Sequence, residues 1–118
     1  MKLNVNERLI IVGVVPEKGN FKTMTIVENV KKALHLTEEE VKEYELVQVG
    51  ENLTWNKKGS EKKEVEISEF GEELIMEAFE ALDKKAELTV HHFPVFKYLK
   101  EEKEKAEKLK EEKPKTKK

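Results

Sequence analysis

Thr37-Glu38-Glu39-Glu40-Val41-Lys42-Glu43-Tyr44-Glu45-Leu46-Val47-Gln48-Val49 is the stretch in which the chain changes its period. Thr37 and Glu40 have the spacing of a capping box, in which a hydroxyl and a carboxylate each satisfy a backbone N–H at a helix start. Three glutamates in the first turn suit the positive end of the helix dipole. The spacing predicts a short helix through about Tyr44. From Leu46 onward apolar and polar residues alternate, as a half-buried strand requires. Helices before this point and short alternating strands after it make the chain α+β.

Downstream, Leu46–Val49, Leu53–Trp55 and Glu64–Ser68 read as a small antiparallel hairpin or a three-stranded meander, broken at Gly50-Glu51-Asn52 and at 56–63. Val65 and Ile67 are expected to face the core with Leu53 and Trp55, and Thr54, Glu64 and Glu66 to face water. Ser68 can cap a strong helix over about 69–86, whose apolar stripe is Phe70, Leu74, Ile75, Ala78, Phe79, Leu82 and Ala86. Phe70, Leu74, Phe79 and Leu82 are the expected centre of the core. Thr89 can cap a last helix with Phe93, Phe96 and Leu99 on one face, and Pro94 is tolerable only near its start.

Upstream, Thr25 and Glu28 repeat the capping-box spacing and point to a helix over about 26–35. Leu3–Val15 stays open between two readings. Asn4 and Glu7 form a further box before Pro16, which favours a helix; the β-branched run with Gly13 fits a buried strand equally well. The segment 16–20 is a tight loop. The order of three helices, a hairpin and a helix is winged-helix-like.

Residues 1–99 form the expected single domain, and 100–118 a Lys/Glu-rich helical extension with a tail disordered from Lys115. In the extension only Ala106 and Leu109 are apolar. Pairs such as Glu101–Lys105 and Glu104–Lys108 support its helix until Pro114 ends it. Residues 1–99 carry a net charge of −5 and the extension +3. An acidic body is repelled by nucleic acid and by anionic lipid.

Of 23 basic residues only Arg8 is arginine, and of 25 acidic residues only Asp83 is aspartate; cysteine is absent. Arginine is the residue that clamps carboxylates and phosphates with a planar fork and reads guanine edges. Aspartate is frequent in metal loops. With both nearly absent, the sequence offers no catalytic, cofactor-binding or metal-binding set, and an enzyme is not expected. His91 and His92 are neighbours, so on a helix they point about 100° apart and cannot share a metal as an i, i+4 pair would. No phosphate-binding glycine motif is present. The longest apolar stretch, Leu9–Val15, falls short of the roughly 20 residues that span a bilayer. The absence of cysteine and of a signal peptide points to the cytoplasm, and the Lys/Glu richness to a thermophile-like composition.

Two surfaces could still act. Leu53 and Trp55 on the sheet, and Phe93 and Phe96 on the last helix, are the candidate anchors for a protein partner or a second copy, because interface energy concentrates in aromatics. In the alternative, a winged-helix regulator, residues 37–44 enter the major groove, and Lys42, Lys57, Lys58, Lys62 and Lys63 contact DNA. Against it, Glu38, Glu39, Glu40 and Glu43 would face the phosphates with Lys42 alone opposing them. An acidic mimic of nucleic acid ranks below both.

Asn6-Glu7-Arg8-Leu9, Val15-Pro16-Glu17-Lys18-Gly19-Asn20-Phe21, Thr54-Trp55-Asn56 and Leu82-Asp83-Lys84-Lys85 resemble segments of small uncharacterised bacteriophage and prophage proteins. The resemblance covers about residues 3–99. These are turns and caps, so it implies no activity and no site residues. It implies an accessory protein that binds another protein.

Overall fold

A computed structural model describes the chain from Met1 to Thr116, with side chains described through Glu107. In chain order its elements are β1 (Lys2–Leu3), α1 (Val5–Val14), α2 (Phe21–Leu34), α3 (Glu38–Glu43), β2 (Val47–Val49), β3 (Asn52–Thr54), a 3₁₀ turn (Lys57–Ser60), β4 (Lys63–Glu64), α4 (Glu69–Lys84) and α5 (His92–Thr116). The fold is α+β, with antiparallel pairs β1–β4 and β2–β3. The chain divides into two compact units, Met1–Ala78 and Phe79–Lys118, with the division inside α4.

In the first unit, the open reading of residues 3–15 resolves as helix, preceded by a two-residue strand. The Asn4 side chain accepts the Glu7 N–H at 2.9 Å, and the Glu7 carboxylate accepts the Asn4 N–H at 2.9 Å. This box turns strand into helix within one residue. The Thr37–Glu40 box closes in the same way, with both bonds at 3.1 Å. The box expected at Thr25 does not form. Asn20 caps α2 instead, accepting the Thr23 N–H at 2.8 Å. Thr25 lies inside the helix and donates its hydroxyl to the Phe21 carbonyl, while Glu28 pairs with Lys32 one turn on.

The three-stranded meander is also corrected. Asn56 donates its N–H to the Tyr44 carbonyl and caps the 3₁₀ turn with its side chain, which leads the chain away from the hairpin. The next strand is then only Lys63–Glu64, and it pairs with β1 in the register Lys2↔Glu64, Leu3↔Lys63. Val65 is buried behind it, Ile67 is half-buried, and Thr54, Glu64 and Glu66 face water. The buried apolar residues of this unit include Leu3, Val5, Ile11, Val27, Val30, Leu34, Tyr44, Ile75 and Met76.

Ser68 accepts the Gly71 N–H at the start of α4. Phe70, expected at the core centre, is 61% exposed. Successive residues turn by about 100°, which sets Phe70 on the face of α4 opposite Phe79. The stripe read from the sequence joined two faces, and Leu74 and Leu82 at its margins are half-buried.

In the second unit Phe79 is fully buried and stacks on Phe96 with ring centroids 5.3 Å apart. Thr89 caps α5, accepting the N–H groups of His91 and His92. Val95, Phe96 and Leu99 form its buried face. Phe93 lies about 200° round from Val95 and is left outside. Lys105 pairs with Glu102 and not with Glu101. The helix passes Pro114 to Thr116, since a proline this near the end interrupts only the last turn. The expected Glu104–Lys108 pair and the end of the tail lie outside the described residues.

Candidate functional site

Arg8 stands in the row Val5, Arg8, Ile11, Val15, whose spacing is that of the buried face of α1, and it is only 4% exposed. Its Nε donates to the Leu34 carbonyl at 3.0 Å and its Nη2 to the His35 carbonyl at 2.8 Å. Nη1 and Nη2 donate to the two oxygens of Glu40, at 2.8 and 3.3 Å. Leu34 is the last residue of α2 and His35 its C-cap, so these carbonyls belong to the helix end, where intrahelical donors run out. Glu40 belongs to the capping box of α3. One guanidinium therefore joins α1, the end of α2 and the start of α3.

Two lysines on the approach to β1–β4 complete this network. Lys63 reaches Glu40 at 3.2 Å, and Lys62 reaches Glu7, the capping carboxylate of α1, at 2.6 Å. The Arg8 hydrogen bonds hold the Glu40 carboxyl at about 2, well below its ordinary 4.5. Burial works against that and is outweighed; the Thr37 N–H, the Arg8 charge and Lys63 lower it further. The same hydrogen bond raises Lys63 above the usual lysine range.

This geometry bears on the residues named for DNA contact. Lys62 and Lys63 flank or form β4, while Lys57 and Lys58 lie in the 3₁₀ turn, so none of the four is in the β2–β3 hairpin that would be the wing. Lys42 is exposed on α3, beyond the exposed Glu38 and Glu39.

The four candidate anchors for a protein partner part company. Phe96 is buried against Phe79. Leu53 and Trp55 are half-buried, and a Cβ at Gly59 would stand 2.6 Å from Trp55 Cδ1, so the indole lies hard against the 3₁₀ turn. Phe93 alone is open, at 58%. Other apolar residues reach the surface that the sequence reading did not single out as anchors: Phe21 at 90%, Phe70, Val47 and Val49. The signal for the valines was available. In the hairpin Leu53 pairs with Gln48, so Val47 and Val49 take the opposite face. Phe21 is the first residue of α2, and the Lys22 ammonium beside it lies 5.8 Å from the centre of the Phe70 ring.

His91 is exposed, and His92 Nδ1 accepts the Thr89 N–H. Among the described residues no group of three or more histidines and carboxylates is placed to hold a metal, and no helix is long and apolar enough to cross a membrane. No family model, no curated protein and no solved structure matches the chain.

Proposed function

We propose that this is a small accessory protein of the phage or prophage kind that acts by binding a protein partner, through contacts and not through chemistry. The observation that carries the reading is the set of large apolar side chains on the surface of the first unit, with Phe21 at 90% and Phe70 at 61% exposure. Water-exposed aromatics beside an exposed cation such as Lys22 have the composition of an interface anchor. Meanwhile Arg8 is engaged with Glu40 and with helix-end carbonyls, and Glu7 with Lys62 and the Asn4 N–H, so these buried charges are already partnered within the fold.

Affinity capture from a lysate of the source cell tests this. The full chain should retain a partner that a Phe21→Ser, Phe70→Ser variant of unchanged melting temperature releases. If nothing is retained, or both proteins retain the same set, the reading fails. Tight and sequence-selective binding to duplex DNA at physiological salt, lost on changing Lys42, Lys57 and Lys58, would install the winged-helix regulator in its place. Sedimentation across concentrations reads self-association in the same preparations.

A further inference from the structure

The two-stranded hairpin leaves the outer edge of β2 without a strand partner. β2 pairs with β3 in the register Val47↔Thr54, Gln48↔Leu53, Val49↔Asn52, around the two-residue turn Gly50-Glu51. Gly50 has φ +63°, as the first position of a type II′ turn demands. A two-residue turn closes on a hydrogen-bonded pair, here Val49 and Asn52, and the next such pair is Val47 and Thr54. The Thr54 hydroxyl adds a bond to the Val47 carbonyl on that side. The N–H and C=O of Gln48 consequently point away from β3, and among the described residues neither takes part in a backbone bond to another element. All of β2 is exposed, Val47 at 54% and Val49 at 62%. It carries no lysine, proline or bulge, the devices that normally blunt an edge.

We infer that the free edge of β2 is a strand-addition site for an extended segment of a partner protein, with apolar residues at alternate positions and lysine or arginine at its ends. The charge around the edge selects this occupant. Glu45 stands at one end and Glu51 at the other, both exposed, with exposed Glu43 behind Glu45 and Lys42 offsetting one charge there. Glu45 also accepts a bond from Asn56 Nδ2, a neutral donor that leaves its charge in place. A second copy of the chain is a poor fit. Antiparallel self-pairing centred on Gln48 sets Val47 against Val49 of the copy, and it sets Glu45 against Glu51 at both ends. A slip of one residue sets valine against glutamine and reverses the faces. A basic-ended segment meets both glutamates favourably.

The inference rests on the reading of the chain as a protein-binding module and names the chemistry of one contact. Its test uses the full chain, labelled for NMR, and two synthetic peptides of alternating valine and threonine, one flanked by lysines and one by glutamates. The lysine-flanked peptide should slow exchange of the Gln48 amide and bind about tenfold more tightly than its glutamate twin. Gln48→Pro, which removes an outward N–H and leaves both hairpin pairs intact, should weaken it about tenfold. Should that variant lose the hairpin, Val47→Lys with Val49→Lys is expected to do the same by charge. Equal affinity for the two peptides, or no slowing at Gln48, overturns the inference. Slowing at Gln48 that grows with protein concentration alone assigns the edge to a second copy and also overturns it. A lysate partner that depends on Phe21 and Phe70, beside a peptide that ignores Gln48, removes this contact and leaves the proposed function standing. If the lysate yields no partner, the function falls whatever the peptides do.

Discussion

The Arg8–Glu40 joint and the β2–β3 hairpin, both in the first unit, reverse the usual placement of side chains. At the joint an arginine and two glutamates are buried; on the hairpin two valines are exposed. The joint can be inside because each polar atom has a partner, so the cost of removing charge from water is offset by bonds of good geometry. The hairpin valines stay outside because the residues across from them, Thr54 and Asn52, are exposed too and nothing in the strand pair covers that face. At the joint burial follows completed hydrogen bonding, and on the hairpin exposure follows the lack of a covering partner, while the rest of the unit buries apolar side chains in the usual way.

The strongest way to break the contrast is Arg8→Met. It takes the buried cation from the Glu40 carboxylate, which keeps Lys63 and the Thr37 N–H, and strands two helix-end carbonyls, and should cost about 3–5 kcal/mol in a denaturant titration. Adding Glu40→Leu to it should recover a large part of that loss, because an apolar pair replaces a buried carboxylate that has lost its arginine. A double variant no better than the single one would show that the carbonyls of Leu34 and His35, and not the ion pair, carry the effect.

Acid attacks the same joint without mutation. The folded Glu40 titrates at about 2 against an ordinary 4.5, so the carboxylate stabilises the fold fully above 4.5. As pH falls the unfolded chain takes up the proton first, and stability is lost between about 4.5 and 2, in all about 3 kcal/mol. Melting curves across that window should slope steeply in the wild type and much less in Glu40→Gln. Equal slopes would place the acid sensitivity elsewhere.

Smaller effects sharpen the comparison. Lys63 is half-exposed, so Lys63→Met should cost about 0.2–1 kcal/mol, shrinking with added salt. On the hairpin, Val47→Thr with Val49→Thr should change stability by no more than about 0.5 kcal/mol, since these side chains already stand in water. A larger loss would mean that the valines pack in solution against something, and concentration-dependent melting would identify it as a second copy.

The sequence disclosed those parts of the fold that are local. Asn4 with Glu7, Thr37 with Glu40, Ser68 and Thr89 were readable as caps because the residues that bond are three or fewer apart. Asn20 gives no such signal because Thr23 offers it no acidic counterpart, whereas Thr25 and Glu28 imitate a box within the helix. The β1–β4 pair joins residues some sixty positions apart through two-residue strands, too short to leave a periodic trace. Arg8 is the instructive case. Its partner Glu40 lies 32 positions away, and no spacing rule connects them. Its place in an apolar helical row, as the lone arginine among lysines, was nevertheless a visible sign that its fork was needed inside. Lysine could not replace it, since a single ammonium cannot reach two carbonyls and both carboxylate oxygens in one plane.

That fork also governs how the linker between α2 and α3 can open. Helix ends ordinarily fray one at a time, and short connections exchange their amide hydrogens early. Here the last carbonyls of α2 and the capping carboxylate of α3 hang on one planar group, with His35-Leu36-Thr37 strung between them. Neither end can loosen without releasing the other. The linker amides should therefore exchange as one cooperative unit with the Arg8 turn of α1, making this three-residue loop one of the slowest-opening parts of the first unit.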